Sequence, residues 1–401
     1  MKIIRGGITA PHGFEASGIS CGIKKGNALD LALIYSQQPA LAVGLFTSSH
    51  FPANHVVLDR TRLNRYGRAQ AIIVNSGNAN CAVGEKGLSD AERVTDKVAK
   101  VLGINSFLVL MASTGIIGKR LPVEKIERAI PLLINTKRKD RYRLASRAIM
   151  TTDKKPKDIA LELKIKGKKI RIGAMAKGAG MINPRLATML CFITTDLSIN
   201  SKLLKKALKE AVDNSFNRIS IDGEMSTNDS VIIMANGLAG NRRIDNLEES
   251  DFLVFSEGLR FGCEYLARQI VLDGEGATKF ISIKVKGAKN RFEAERVSRT
   301  IANSPLFKTA MYGQNPNWGR IISACGASEA RLNPEKLDIS LGGQFVFRCG
   351  KPVGKDFQHF KKILEKREIK VEIDLNLGKG EYSLWTIDLS EDYVRINAGY
   401  E

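Results

Sequence analysis

The stretch Lys177–Thr188 (KGAGMINPRLAT) concentrates residues suited to one kind of chemistry. Three small residues, Gly178, Ala179 and Gly180, let backbone approach backbone or a ligand closely. Pro184 stiffens the loop, and Ala187-Thr188 then opens the apolar run Met189–Ile193. A threonine that begins a strand after a glycine loop suits a nucleophile that becomes a new N-terminus. Its hydroxyl attacks the preceding carbonyl, the ester hydrolyses, and Thr188 keeps a free α-amine. Such an amine has a reference pKa of about 7.7 to 8.0, so part of it is neutral at pH 7. It can then take the proton of the adjacent hydroxyl. The four histidines (His12, His50, His55, His359) lie outside the glycine-rich segments, which leaves no Ser-His-Asp candidate. Ala187-Thr188 also has a plain structural explanation, because a β-branched residue in a strand needs no chemical reason. Ser113-Thr114-Gly115 is open in the same way. It either presents backbone and hydroxyl donors to an oxyanion or forms an ordinary tight turn.

Composition narrows the setting. The six cysteines (Cys21, Cys81, Cys191, Cys263, Cys325, Cys349) are scattered, without a CxxC pair or nearby histidines. That argues against a zinc site and, in 401 residues, against a disulfide scaffold. Reduced thiols in a cytoplasmic protein are expected. Cys191, inside an apolar run, is expected to be an inert core thiol. The N-terminus lacks a basic cap followed by a long apolar run. No segment approaches the ~18 to 20 consecutive apolar residues of a membrane span. The formal net charge of +20 raises the question of nucleic acid. Lysines and arginines are spread along the chain, however, with no aromatic-interleaved basic patch. A positive field of this kind steers small anions instead.

The elements that must position these residues read as follows. Residues 1–60 suggest short strands broken by Gly and Pro, with VGLFTSSH as one alternating segment. AIIVNS (71–76) and FLVLMAS (107–113) are compact apolar strands. Between them the pattern predicts a helix with Ser89 as N-cap and Val94, Val98 and Val101 inward. Alternation over 159–175 predicts a hairpin turning near Gly167. Helices are expected from Ser201 and over about 250–268, with strands at Val231–Met234 and 281–287. The pattern is α/β with mixed sheets, divided into 1–280, which holds the reactive stretch, and 281–401.

Seven motifs then occur in one order: NSGNAN (75–80), STGIIG (113–118), TTDKKPK (151–157), KGAGMINPRLATML (177–190), DGEMSTND (222–229), DGEGATKF (273–280) and NPNWGRI (315–321). Together they resemble the ornithine acetyltransferase family, also called glutamate N-acetyltransferase, of arginine biosynthesis. The resemblance runs from about Gly6 to the last residues. It implies a two-domain mixed-sheet α/β sandwich of the self-processing N-terminal-nucleophile type, with a smaller C-terminal α+β domain. It implies cleavage between Ala187 and Thr188, with Thr188 as the residue that carries the acetyl group. Thr114 and Gly115 match the family's oxyanion-hole pair. Thr151, Lys177, Thr188, Glu275 and Asn397 match its substrate-binding positions, with Thr152 an alternative to Thr151. One departure is visible. The family pattern continues past INA-x-Y (396–400) to a threonine that contacts substrate, whereas this sequence ends at Glu401.

The implied reaction is double displacement. N-acetylornithine gives its acetyl group to Thr188, glutamate removes it, and acetyl-CoA stands open as a second donor. The resemblance implies no metal or organic cofactor and an α2β2 assembly of the cleaved chains. Lys177 offers a compact cation for a carboxylate or acyl oxygen, and Glu275 offers a carboxylate to an ammonium group. Two rivals remain at this stage. A self-processing aminopeptidase or amidohydrolase would use water in place of glutamate. A basic nucleic-acid-binding protein would show a salt-dependent gel shift.

Overall fold

A computed structural model describes every residue except 166, 184–188, 249, 355–356 and 400–401. Two compact units divide the chain. The first comprises Met1–Gly178, Pro184–Asn217 and Met225–Ile270, and the second Ala179–Asn183, Arg218–Glu224 and Val271–Glu401. Both are α/β with mixed sheets, the class expected from the sequence.

Nine strands of the first unit are β1 (Lys2–Ile4), β2 (Phe14–Ile19), β3 (Leu31–Phe46), β4 (Arg68–Asn78), β5 (Val109–Ile116), β6 (Lys157–Ile165), β7 (Lys168–Lys177), β8 (Leu190–Thr195) and β9 (Ser230–Ala235). They form one sheet in the order β1-β6-β7-β8-β9-β3-β4-β5, with β2 also on β3. The β4–β5 and β8–β9 pairs are parallel and the β3–β9 pair is antiparallel. Period-two alternation sends successive residues to opposite faces. Leu31 and Leu33 enter one core with Ile73 and Met111, while Ala32 and Ile34 enter another with Ile72 and Leu110. Burial on both faces explains why these strands read as nearly continuous apolar runs.

Helices α1 (Asn54–Tyr66), α2 (Glu85–Leu102), α3 (Val123–Asn135), α4 (Tyr142–Ala148), α5 (Ser201–Asp213) and α6 (Ser250–Leu272) complete this part of the chain. Asn200 caps α5 by accepting from the Lys202 amide. The hairpin of β6 and β7 turns at Gly167, whose φ of 77° suits glycine.

Three expectations need correction. Residues 1–60 are not all short strands. They hold the 16-residue β3 and the start of α1. Pro39 is tolerated in β3 because it falls where the β3–β4 register shifts, between Tyr35 and Ala40. Helix α2 starts before Ser89, because Gly84 at φ 67° turns the chain into it and Glu85 places a negative charge in its first turn. Val94 and Val98 are buried as expected, but Leu102 continues the stripe and Val101 is exposed. Finally, β5 runs on through Ser113-Thr114-Gly115 to Ile116. Those residues pair with β4 in register, Ser76 opposite Thr114 and Gly77 opposite Gly115. They are strand, not a tight turn.

Strand β5 ends the sheet order, so its outer backbone groups need partners from elsewhere. Helix α1 supplies them. Asp59 accepts from the Met111 amide at 3.0 Å, and Arg62 Nη1 donates to the Val109 carbonyl at 2.5 Å. Both side chains are buried. Burial pushes the Asp59 carboxyl well above the usual carboxylate range, against the pull of the Met111 amide and Arg62.

In the second unit, β10 (Phe280–Ala288), β11 (Asp338–Leu341), β12 (Gln344–Arg348), β13 (Lys351–Pro352), β14 (Glu368–Asp374) and β15 (Gly380–Ile387) order as β13-β12-β11-β14-β10-β15. Helices α7 (Arg291–Ala302), α8 (Pro305–Tyr312), α9 (Trp318–Gly326), α10 (Phe357–Leu364) and α11 (Glu391–Ala398) accompany them. Ile283, Val297, Phe307, Ile321 and Val371 share one core there. No helix among the described residues is long and apolar enough to cross a membrane.

Asp59→Ala leaves the Met111 amide without its partner and should cost about 1 to 3 kcal/mol. Asp59→Asn keeps an acceptor oxygen and no charge, so it should cost far less. Urea denaturation of the two variants checks this, and equal midpoints would remove the edge-strand role.

Candidate active site

Three of the sequence-selected residues meet in the first unit. Lys177, the last residue of β7, donates from Nζ to Thr151 Oγ1 at 2.7 Å and to Thr114 Oγ1 at 3.3 Å. Lys177 is 9% exposed, so its ammonium sits in a largely desolvated place. Of the Thr151/Thr152 pair, Thr151 is the one whose hydroxyl meets Lys177.

A residue the sequence reading passed over holds this cluster. Asp153 Oδ1 accepts from Lys157 Nζ at 2.6 Å and from the Gly178 amide at 2.7 Å. Its other oxygen accepts from the Thr151 amide at 3.1 Å. Burial alone would raise the Asp153 pKa. Lys177, Lys157 and the Gly178 amide overcome it and hold the carboxyl down to about 2. The signal was present in TTDKKPK, where the acid lies two residues after the chosen threonine.

The β5 terminus is fixed by asparagines of the NSGNAN and DGEMSTND motifs. Ser113 Oγ donates to Asn75 Oδ1 at 2.6 Å. Asn228 Nδ2 donates to the Ser113 and Ala79 carbonyls at 2.8 and 2.6 Å. Asn78 Nδ2 reaches the carbonyls of Lys119 and Arg120. Gly115 must be glycine on two counts. Its φ is 135°, and a Cβ there would stand 2.4 Å from the Gly77 carbonyl carbon. Thr114 and Gly115 therefore occupy one defined backbone path.

Next to the undescribed stretch, Met189 precedes β8. Its amide hydrogen-bonds the buried Asp229 carboxyl, whose pKa is pushed well up by burial against that bond, Ser226 and Lys177. Cys191 is fully buried, and burial raises its thiol well above the usual range. That fits the inert core thiol expected. Ala187 and Thr188 lie outside the described residues.

Glu275 and Asn397 come together in the second unit. Asn397 Nδ2, on α11, donates to Glu275 Oε2 at 2.9 Å. The Glu275 amide donates to the Ala179 carbonyl at 2.8 Å. A Cβ on Gly180 would lie 2.4 Å from Glu275 Oε2, so only glycine leaves room for the carboxylate there. Asp222, also unselected, accepts from the Met181 and Ile182 amides at 2.6 and 2.8 Å and from Tyr393 Oη at 3.4 Å. Burial first, then Asp222 and Glu275, raise the Tyr393 pKa. Lys308, buried and lowered to about 8 by desolvation against Asp222 and Asp388, donates to the Ile221 carbonyl.

Chemically, the first unit offers hydroxyls, an ammonium group and a constrained strand end. The second offers a carboxylate braced by an amide. The ArgJ family model matches residues 15–401. The arginine biosynthesis bifunctional protein ArgJ of Bacillus licheniformis is 44% identical over all of this chain and 98% of its own length. The glutamate N-acetyltransferase of Methanocaldococcus jannaschii is 42% identical over the whole of both chains. A crystal structure of arginine biosynthesis bifunctional protein ArgJ from Bacillus halodurans is 43% identical, with a TM-score of 0.50. It covers 52% of this chain and 98% of the solved chain.

Asp153 supports a pH test. Its folded pKa, about 2, lies below the ordinary aspartate value of about 3.9. The stability it contributes is therefore complete above pH ~4 and lost as pH falls through about 2. Asp153→Asn should flatten the acid limb of stability in that window. It also removes the buried counter-charge of Lys157, at a cost of about 3 to 5 kcal/mol at pH 7. Denaturation midpoints between pH 7 and 2 for both proteins check the sign, and parallel curves would contradict it.

Proposed function

This chain belongs to the ArgJ family and is an acyltransferase of arginine biosynthesis, and we infer that it moves acetyl from N-acetylornithine to glutamate through Thr188. The observation that carries the site assignment is the pair of hydrogen bonds from Lys177 to Thr151 and Thr114, beside a strand end that only glycine can form.

The chain first cleaves between Ala187 and Thr188, which frees the Thr188 α-amine. That amine takes the hydroxyl proton as Oγ1 attacks the acetyl carbonyl of N-acetylornithine. Thr114 and Gly115 stabilise the oxyanion. The C–N bond to ornithine breaks, the proton passes to the leaving amine, and the acetyl remains as an ester on Thr188. The α-amine of glutamate then attacks the ester, and Thr188 is regenerated. Lys177 and Thr151 hold the acyl or carboxylate end of the substrate, and Glu275, braced by Asn397, receives an ammonium group. The 52% share covered by the Bacillus halodurans chain supports cleavage, since Thr188–Glu401 is slightly more than half of this chain. On this reading the fragments assemble as α2β2 in the cytoplasm. The relatives named bifunctional support acetyl-CoA as a second donor.

The decisive experiment is steady-state kinetics with both substrates varied. Parallel double-reciprocal lines and a C-terminal fragment heavier by one acetyl group are expected. Intersecting lines with no acetylated fragment would replace the covalent route with direct transfer. Acetyl release to water without glutamate would make the protein a hydrolase. Thr188→Ala should abolish cleavage and transfer together. Thr114→Ala should lower turnover about 10²- to 10³-fold, as loss of one oxyanion donor does. Acetylglutamate formation from acetyl-CoA, assayed beside N-acetylornithine, decides the second donor.

A further inference from the structure

Lys24 sits in the loop that joins β2 to β3, and its neighbour Lys25 is exposed while Lys24 is half-buried. Asp30 organises that loop by accepting from the amides of Cys21, Ile23 and Lys24 at 2.6, 2.7 and 3.0 Å. The Lys24 ammonium is not spent on that carboxylate. Nζ donates to the Met150 carbonyl at 2.6 Å and to the Leu29 carbonyl at 3.1 Å, and Lys24 makes no ion pair among the described residues. An ammonium has three protons to give, so the two carbonyls leave one over.

Met150 immediately precedes Thr151, whose hydroxyl accepts from Lys177. Two ammonium groups are thus bonded to consecutive residues. Lys24 also borders the β4–β5 strand ends. A Cβ on Gly77 would stand 3.1 Å from Lys24 Cγ, and Gly77 is the register partner of Gly115. Burial first, and then the Lys177 charge, press the Lys24 pKa down against the pull of Asp30 and Asp153. A carboxylate arriving beside both lysines relieves that repulsion.

The two substrates differ in this respect. N-acetylornithine carries one carboxylate and a side-chain ammonium, whereas glutamate carries two carboxylates. Lys177 alone matches the charge they share. We propose that Lys24 is a second cationic contact, beside Lys177, that selects the dicarboxylate acceptor. The proposal rests on the acetyl-transfer reading above.

The test compares wild type, Lys24→Gln, Lys24→Met and Lys24→Arg, with KM and kcat measured separately for glutamate and N-acetylornithine and with glutamine as a competing acceptor. Loss of a charged hydrogen bond predicts a rise of about 10- to 100-fold in KM for glutamate. KM for N-acetylornithine should stay within about 2-fold of wild type, as expected where the lost contact serves the acceptor alone. Preference for glutamate over glutamine should fall, and Lys24→Arg should restore most of it. Lys24→Gln keeps an amide able to donate to Met150 or Leu29, so the loop stays tied while the charge is gone. Equal shifts in both KM values, or an unchanged glutamate/glutamine preference in Lys24→Gln, would overturn the inference and leave Lys24 as a tie for two carbonyls. A wild type that transfers nothing from N-acetylornithine overturns the transfer reading itself.

Discussion

A carboxylate carried into a nearly waterless interior is expensive until donors surround it. Asp153 meets that condition through Lys157, the Gly178 amide and the Thr151 amide, with Lys177 adding charge. These donors come from separate stretches: the loop after α4, the start of β6 and the residue just past β7. Satisfying one buried anion therefore fixes the loop that carries Thr151 and the strand end that carries Lys177. The 2.7 Å bond between those two follows from where Asp153 holds them. Apolar packing supplies most of the fold's stability, but it is non-directional. The direction in this part of the site comes from the buried charges.

The same logic of backbone satisfaction shapes the β5 end. An edge strand that must hold Thr114 and Gly115 in place cannot have loose amides along its length. On the inner side, Gly77 and Gly115 let two backbones approach more closely than any side chain permits. On the outer side, Asp59 and Arg62 from α1 stand in for the missing neighbour strand. Asn75 and Asn228 close the remaining gaps at Ser113. The asparagine-rich motifs are therefore scaffold. They read as turn residues in sequence because Asn and Gly favour turns, and nothing local announces that their amides are spent on distant carbonyls.

What was legible follows from which forces are local. Alternation exposed β6 and β7 and the hairpin turn at Gly167, because period two is written residue by residue. The resemblance in motifs singled out Thr114, Thr151 and Lys177, which hydrogen-bond in the first unit, and Glu275 and Asn397, which meet in the second. The Ser89 cap was misplaced because a Gly84 at positive φ starts the helix without any side-chain cap. Helix α1 escaped notice because its inward face carries His55, Asp59 and Arg62, polar residues that a hydrophobic stripe search discards. Lys24 and Asp222 were invisible for a related reason. Their partners lie 126 residues away at Met150 and about 40 residues away at Met181 and Ile182, distances that no periodicity encodes.

The segment around the Ala187-Thr188 junction shows what such long-range partners accomplish. On its N-terminal side, the Gly178 amide is held by Asp153 and the Met181 and Ile182 amides by Asp222, while Asn183 Nδ2 donates to the Gly223 carbonyl. On its C-terminal side the Met189 amide is held by Asp229, and Leu190 enters the β8 pairing with Lys177 and Ser230. Most of these anchors are carboxylates that accept from backbone N–H groups. Asp153, whose carboxyl is held down by its donors, fixes the Gly178 amide without competing for a carbonyl oxygen, because an ionised acid has no proton to donate. Lys177, the strong donor in the first-unit cluster, is bonded to the hydroxyls of Thr114 and Thr151.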